Sequence, residues 1–297
     1  MGVILANCLR EKAGLYKIVT MPAAIPETAG ELKARIKDMR VDIIRMISAA
    51  GSGHPGGSLS VIDILAVLYS QFLRHDPKRP DWPDRDRVVL SKGHGCPALY
   101  TVMAYTGYFP KEQLMTLRQL GSPLQGHPDR LRLPGIEAST GSLGQGLSMA
   151  VGMALAGKMD KKDYRTYAVL GDGELQEGQC WEAIMCAPKF KLDHLTVIVD
   201  RNNGQIDGHV HEVMDIEPLK DKFESFRWEA QVIDGHDLGQ IAAALDKARK
   251  TQGKPQAIIA DTIKGKGVSF MEDNINWHGA APKKEQADKA AAEIQGP

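Results

Sequence analysis

Thr166-Tyr-Ala-Val-Leu170 is an apolar run that stops at Gly171-Asp172-Gly173, and a second run, Leu195-Thr-Val-Ile-Val199, stops at Asp200-Arg201-Asn202. Both runs have the length and composition of buried strands, and each delivers a polar side chain at its carboxyl end. A strand that ends in a glycine-rich turn lets backbone N–H groups approach a phosphate. One carboxylate and one amide, Asp172 and Asn202, can then hold its divalent counter-ion, because Mg²⁺ takes few protein carboxylates and leaves other positions to phosphate oxygens and water. Taken singly, Asp172 also suits a helix cap and Asn202 a turn.

Outward from these two runs, strand-like segments are expected at 87–90, 228–233 and 256–262, alternating with helices near 98–106, 111–119, 178–190 and 238–249. Thr28-Ala-Gly-Glu31 fits a capping box, and Leu32, Ile36, Met39, Ile43 and Met46 repeat at helical spacing, which predicts a helix running to about residue 50. A further helix opens at Gly141-Ser-Leu-Gly-Gln-Gly146. Its Gly144, Ser148, Gly152 and Ala156 form a stripe of small residues against which another helix could pack closely. Strand and helix alternation predicts an α/β fold, a mostly parallel sheet with helices on both faces, whose ligands bind outside the carboxyl ends of the strands.

The 297 residues, 43% of them apolar, suffice for one large domain with a substantial core. The expected layout is a leading segment over 1–28, the domain over 29–282 and a charged tail over 283–297. Thirty-seven basic residues balance thirty-seven acidic ones, so no global field favours nucleic acid or an anionic membrane. Apolar stretches are too short to span a bilayer and Val3-Ile-Leu-Ala6 has no basic region before it, so the protein is expected to be soluble and cytoplasmic. Cys8, Cys96, Cys180 and Cys186 are scattered and expected to be reduced.

Four histidines lie in glycine- and proline-rich settings: His54 in Ser52-Gly-His-Pro-Gly56, His94 in Ser91-Lys-Gly-His-Gly95, His127 in Gly126-His-Pro128 and His278 in Asn276-Trp-His-Gly279. Histidine exchanges protons near neutral pH, which makes these four candidates for acid–base work. No His-x-x-x-His or His/Cys cluster has zinc spacing. The histidines at 75, 194, 209, 211 and 236 have no motif around them and read as solvated or structural. No strand leads into Gly-x-Gly-x-x-Gly with a later acidic residue, which argues against a Rossmann dehydrogenase.

Gly171-Asp-Gly-Glu-Leu-Gln-Glu-Gly178, followed thirty residues after Asp172 by Asn202 in Asp200-Arg-Asn-Asn-Gly-Gln-Ile-Asp-Gly208, resembles the diphosphate-binding motif of thiamine diphosphate enzymes. With the histidine segments above and Trp277-His-Gly-Ala-Ala-Pro282, the wording resembles transketolase over about residues 31–282. The resemblance implies a thiamine diphosphate-binding fold and a divalent cation, Mg²⁺ or else Ca²⁺ or Mn²⁺, held by Asp172, Asn202 and the carbonyl of Gly204. It also implies that His94, Gly173 and His278 face the cofactor diphosphate and that Gly141 and Leu143 approach its aminopyrimidine. His54 and His127 would contact the carbonyl and hydroxyl end of a substrate, with His278 also placed for proton transfer. Glu177 and Glu182 stand where the family has carboxylates that communicate between active sites; as plain sequence they are equally solvent-facing helix residues. Gly204 replaces a bulkier residue, and Ser142 stands where a proline is common.

The resemblance matches only the diphosphate-binding part of a full transketolase. The pyrimidine-binding domain and its activating Glu would lie in a separate C-terminal subunit. The expectation is a two-chain transketolase, a heterotetramer of two copies of each subunit. It would move a two-carbon ketol unit from a ketose phosphate such as xylulose 5-phosphate to an aldose phosphate, as in the pentose phosphate pathway. The alternatives are half of another thiamine diphosphate enzyme, related to deoxyxylulose-phosphate synthase or an oxo-acid dehydrogenase, and a non-catalytic Mg²⁺-diphosphate-binding subunit.

Overall fold

The computed structural model describes residues 28–296. Cys8 and the leading segment, apart from Thr28, lie outside the described residues. Five parallel strands form one sheet in the order β1-β2-β3-β5-β4, namely β1 (Arg87–Leu90), β2 (Thr166–Gly171), β3 (Leu195–Arg201), β5 (Gln256–Asp261) and β4 (Glu229–Asp234). The helices are α1 (Ala29–Ala50), α2 (Pro55–Val67), α3 (Cys96–Tyr105), α4 (Gln145–Met159), α5 (Gly178–Lys189), α6 (Val210–Val213), α7 (Leu219–Ser225), α8 (Leu238–Lys250) and α9 (Lys284–Gln295).

Side chains of successive strand residues point to opposite faces, and both faces are covered. Tyr167, Val169, Ile198, Ile258 and Ala260 pack into one core with α1, α2, α3, α8 and α9. Ala168, Leu170, Val197, Val199, Ala257 and Ile259 pack into the other with α4, α5 and α7. Every residue of α2 is buried, so that helix is surrounded by protein on all sides. The capping box opening α1 is present: Glu31 N–H donates to Thr28 Oγ1 at 3.2 Å, and Thr28 N–H donates to the Glu31 carboxylate at 2.8 Å. Gly51 closes the same helix with φ of 62°, a left-handed conformation that glycine adopts without cost.

Two expectations are corrected, and a third, the stripe on α4, finds no partner among the described residues. The helix expected near 111–119 is a short 3₁₀ turn, Lys111–Thr116, because only Leu114 and Leu117 of 111–119 are buried and little packing supports a longer helix. The stripe on α4 is not covered by a helix among the described residues. Gly144 is buried, but Ser148, Gly152 and Ala156 are exposed, because α4 turns Leu147, Ala150, Val151 and Ala154 to the sheet and α5 instead. Finally, the segment expected as a charged tail is helical over Lys284–Gln295. Three alanines and one isoleucine align on one face of α9, so that Ala287, Ala290, Ala291 and Ile294 pack against α1, and Glu293 accepts the backbone N–H of Ser269 at 2.7 Å.

Ala290 is fully buried in that contact. Ala290→Glu is therefore expected to cost about 3 kcal/mol or more, since a carboxylate there has no partner. A thermal unfolding curve that superimposes on the unsubstituted protein's would show that α9 does not dock.

Candidate functional site

The carboxyl ends of β1, β2, β3 and β5 meet around one carboxylate. Asp200, in the central strand β3, is fully buried and accepts hydrogen bonds from Lys92 Nζ just beyond β1, from Thr262 Oγ1 just beyond β5, and from Ser60 Oγ on α2 at 2.6 Å. Burial alone would raise its pKa; the charge of Lys92 and the hydrogen bonds from Lys92, Ser60 and Thr262 outweigh that and hold the carboxyl below its usual range. Asn202 Nδ2 donates to Ser60 Oγ at 3.1 Å and to Asp200 at 3.3 Å. With its amino group so committed, the amide keeps Oδ1 as its acceptor, which takes the N–H of Gly204 at 3.0 Å.

Asp172, one residue past β2, is 2% exposed; its two oxygens accept N–H groups from Gly173 at 2.9 Å and Asn203 at 2.6 Å. Burial, and next the negative charge of Asp200, push its pKa up to about 6. A desolvated carboxylate beside a second carboxylate is a group that a cation would relieve. Lys264 lies opposite, 1% exposed, its Nζ donating to the Gly204 carbonyl at 3.2 Å. Burial first, then the charge of Lys92, lower its pKa to about 8. The absence of a side chain at 204 has a steric reason: a Cβ there would stand 2.7 Å from Lys264 Cδ.

Above these strand ends the four histidines form one cluster. His54 is the N-cap of α2, fixed by Pro55 at the first helical position, and its ring lies 5.3 Å from His94, 6.2 Å from His127 and 5.6 Å from His278. His94 sits in the turn after β1, 5.2 Å from His278. The Nδ1 atoms of His54 and His278 are buried with no hydrogen-bond partner. Buried polar atoms are seldom left so, and both belong to rings that line one cleft, which marks a place where a polar ligand fits. Burial, and then neighbouring cations, lower all four rings: His54 to about 4, His278 to about 3, His94 well below its ordinary value, and His127 below it through burial and Arg118. The rings are therefore neutral at pH 7. Gly141 has φ of 142°, and a Cβ there would meet the His127 ring at 2.8 Å, so only glycine lets that loop lie against the histidine.

The result is a cleft of about 310 Å³ whose walls include His54, His94, His127, Gly141, Leu143, Asp172, Gly173, Glu177, Asn202, Gly204 and His278, every expected position but Glu182. Glu177 is exposed at the rim, where it is the N-cap of α5, while Glu182 is exposed on α5 and does not line the cleft. Sequence reasoning passed over Lys92 and Lys264, both in the walls. Lys92 lies inside the quoted Ser91-Lys-Gly-His segment, and Lys264 follows the last strand by three residues, the placement that marked Asp172 and Asn202. Glu174, also buried in the wall, accepts Ser91 Oγ and the N–H groups of Gly144 and Gly171, and so ties the glycine turns together.

Residues 32–295 match the family described as transketolase, thiamine diphosphate binding domain. The chain is 47% identical to the 6-deoxy-6-sulfo-D-fructose transketolase subunit SqwG of Clostridium sp., over 89% of this chain and 96% of that subunit. It is 41% identical to one subunit of the apulose-4-phosphate transketolase of Phocaeicola vulgatus, over 89% of this chain and 93% of that one. Against the transketolase of Homo sapiens the identity is 42%, and the match spans 89% of this chain but 42% of the human one. In three dimensions it is similar to the transketolase of Campylobacter jejuni, with a TM-score of 0.86 and 39% identity, covering 90% of this chain and 43% of that one. With the family motif matched along nearly the whole described fold, and its strand ends and histidines drawn into one cleft, this chain belongs to the transketolase family, in the part of it that binds thiamine diphosphate.

Proposed function

We propose that this chain is the diphosphate-binding subunit of a two-chain transketolase, which transfers a two-carbon ketol unit between sugar derivatives with thiamine diphosphate and a divalent cation. The observation that carries the reading is the convergence of the motif residues on one cleft, two of whose lining histidines keep a ring nitrogen without a partner. Supporting it, the chain matches nearly all of two relatives named as transketolase subunits and less than half of the human transketolase. The activating Glu and pyrimidine pocket then come from a C-terminal subunit, two of each chain making a heterotetramer.

The residues present suit the cofactor. Asp172, Asn202 Oδ1 and the Gly204 carbonyl would hold Mg²⁺, or Ca²⁺ or Mn²⁺ in its place; among the described residues no three His, Cys, Asp or Glu converge as a metal site, so phosphate and water would complete the shell. Lys264, Lys92, His94, Gly173 and His278 would face the diphosphate. Gly141 and Leu143 would border the pyrimidine, and Glu177 would reach toward the neighbouring active site. When bound, thiamine diphosphate supplies the electron sink for breaking a carbon–carbon bond beside a carbonyl. The protein's part is proton handling and orientation. His54 and His127, neutral and at the cleft, accept and return protons at substrate hydroxyls and the carbonyl oxygen, and His278 does so nearer the cofactor. Xylulose 5-phosphate is the default donor. The two subunit relatives are named for a sulfonated ketose and for apulose 4-phosphate, so both belong in the donor set to be assayed.

Three outcomes are expected. Purified from its source, the tagged chain should carry both a second, C-terminal chain and thiamine diphosphate in native mass spectrometry, and only the pair should transfer ketol units; full activity in this chain alone would refute the split reading. Asp172→Ala should abolish Mg²⁺-dependent thiamine diphosphate binding to the assembled enzyme, and unchanged calorimetric affinity would remove Asp172 from the metal site. The third outcome concerns stability. His54 has its folded pKa lowered from 6.5 to about 4, so between those values the unfolded chain binds the extra proton and stability is lost as pH falls through the window. His54→Gln should therefore lose less stability between pH 6.5 and 4 than the unsubstituted protein, and parallel stability curves would mean that His54 titrates normally.

A further inference from the structure

Arg118 follows the 3₁₀ turn Lys111–Thr116 and has φ of 60°, a left-handed backbone that costs a non-glycine residue about 1–2 kcal/mol. Its N–H donates to the Leu124 carbonyl at 2.8 Å, which closes the loop leading to His127. The strained backbone turns the guanidinium back between two loops. Nη1 donates to Ser52 Oγ at 2.9 Å, and Nη2 donates to the Gly126 carbonyl at 3.3 Å. Ser52 stands two residues before His54, and Gly126 immediately before His127. One rigid planar cation thus bridges the two loops that carry the proposed substrate-facing histidines. The contact at Gly126 is close: a Cβ there would lie 2.8 Å from Arg118 Cζ.

We propose that Arg118 is a positioning residue that fixes His54 and His127 relative to each other for ketol transfer, by clamping the loop before each. The proposal rests on the transketolase reading for its chemistry and on the clamp geometry for its structural part. Backbone strain held at a non-glycine residue persists where surrounding contacts over-determine it. The guanidinium fork suits this role because its donors are fixed in one plane, whereas an ammonium is a point charge on a flexible stem. The same cation faces both rings. His54 is also faced by Lys92, Lys264, His94, His127 and His278, whereas Arg118 is the one charge, next to burial, that lowers His127. On the other side of that loop, Tyr100 Oη donates to the carbonyls of Gln125 and His127, Cys96 Sγ contacts the Gly126 carbonyl, and the charge of Asp129 reaches Tyr100.

Three variants test this in the assembled two-chain enzyme with its ketose donor, with histidine-selective NMR titration of the isolated chain as a readout independent of activity. Arg118→Lys keeps the charge and removes the fork, so kcat should fall about tenfold or more, as misplaced catalytic groups do, with the His54 and His127 titrations unmoved. Arg118→Met should lower kcat similarly and shift both titrations to higher pH, leaving His94 in place. Gly126→Ala keeps Arg118 but displaces its guanidinium, and should reproduce the kcat loss. Thiamine diphosphate affinity and thermal stability should hold in all three. Unchanged kcat in Arg118→Met and Gly126→Ala, or a kcat loss matched by lost cofactor affinity, would overturn the proposal. An inactive unsubstituted assembly would instead overturn the transketolase reading, and unmoved histidine signals in Arg118→Met of the isolated chain would still reject the clamp.

Discussion

The buried ion pair between Lys92 and Asp200 is the contact on which the site depends. A carboxylate with no exposed surface is costly unless it is paired and hydrogen-bonded, and Asp200 has donors from Lys92, Ser60 and Asn202 on one oxygen and from Thr262 on the other. Those donors come from α2, from the segments after β1 and β5, and from the residue after β3 itself, so satisfying one carboxylate fixes the spacing of four chain segments. Removing one partner of such a pair leaves an uncompensated charge, at a cost of roughly 3–5 kcal/mol. The amide of Asn202 is oriented by the same network, and through it the atom expected to reach a metal.

Around this node the cleft is electrically divided. Asp172 is a strained anion, raised by burial and by Asp200, while Lys264 is a strained cation, lowered by burial and by Lys92. Each is poorly compensated without a ligand, and a divalent cation with a diphosphate answers both demands at once. The histidines take no part in that balance because they are neutral. Being neutral, they can meet a ligand by hydrogen bonding alone.

Much of this was legible in the sequence where local chemistry decides the outcome. The apolar runs at β2 and β3, the Thr28–Glu31 capping box and the glycine-flanked histidines are short-range signals, and the parallel sheet then carries the strand ends to one edge. What was not legible depended on tertiary environment. Lys92, Lys264 and Arg118 look like ordinary surface cations in sequence, and only packing reveals that the first two are buried and that the third spans two loops. The alanine-rich segment near the end reads only as a charged tail because its charges outnumber its large apolar side chains; α1 supplies the surface that makes it a packed helix. The small-residue stripe of α4 had the right period, but the sheet takes the opposite face of that helix.

The Asp200 network also bears on how the chain reaches this state. Its hydrogen bonds join residues far apart in sequence, 140 positions for Ser60 and 108 for Lys92. Contacts of such separation form late, because loop closure must precede any reward. Helix α2 is buried on every side, and its Ser60 finds its partner only when β3 is made. Helices α1 and α3, its main packing neighbours, lie next to it in sequence and can cover it early, whereas Ser60 and Lys92 meet Asp200 only once β3 is made, so the helical layer can collapse before the site exists.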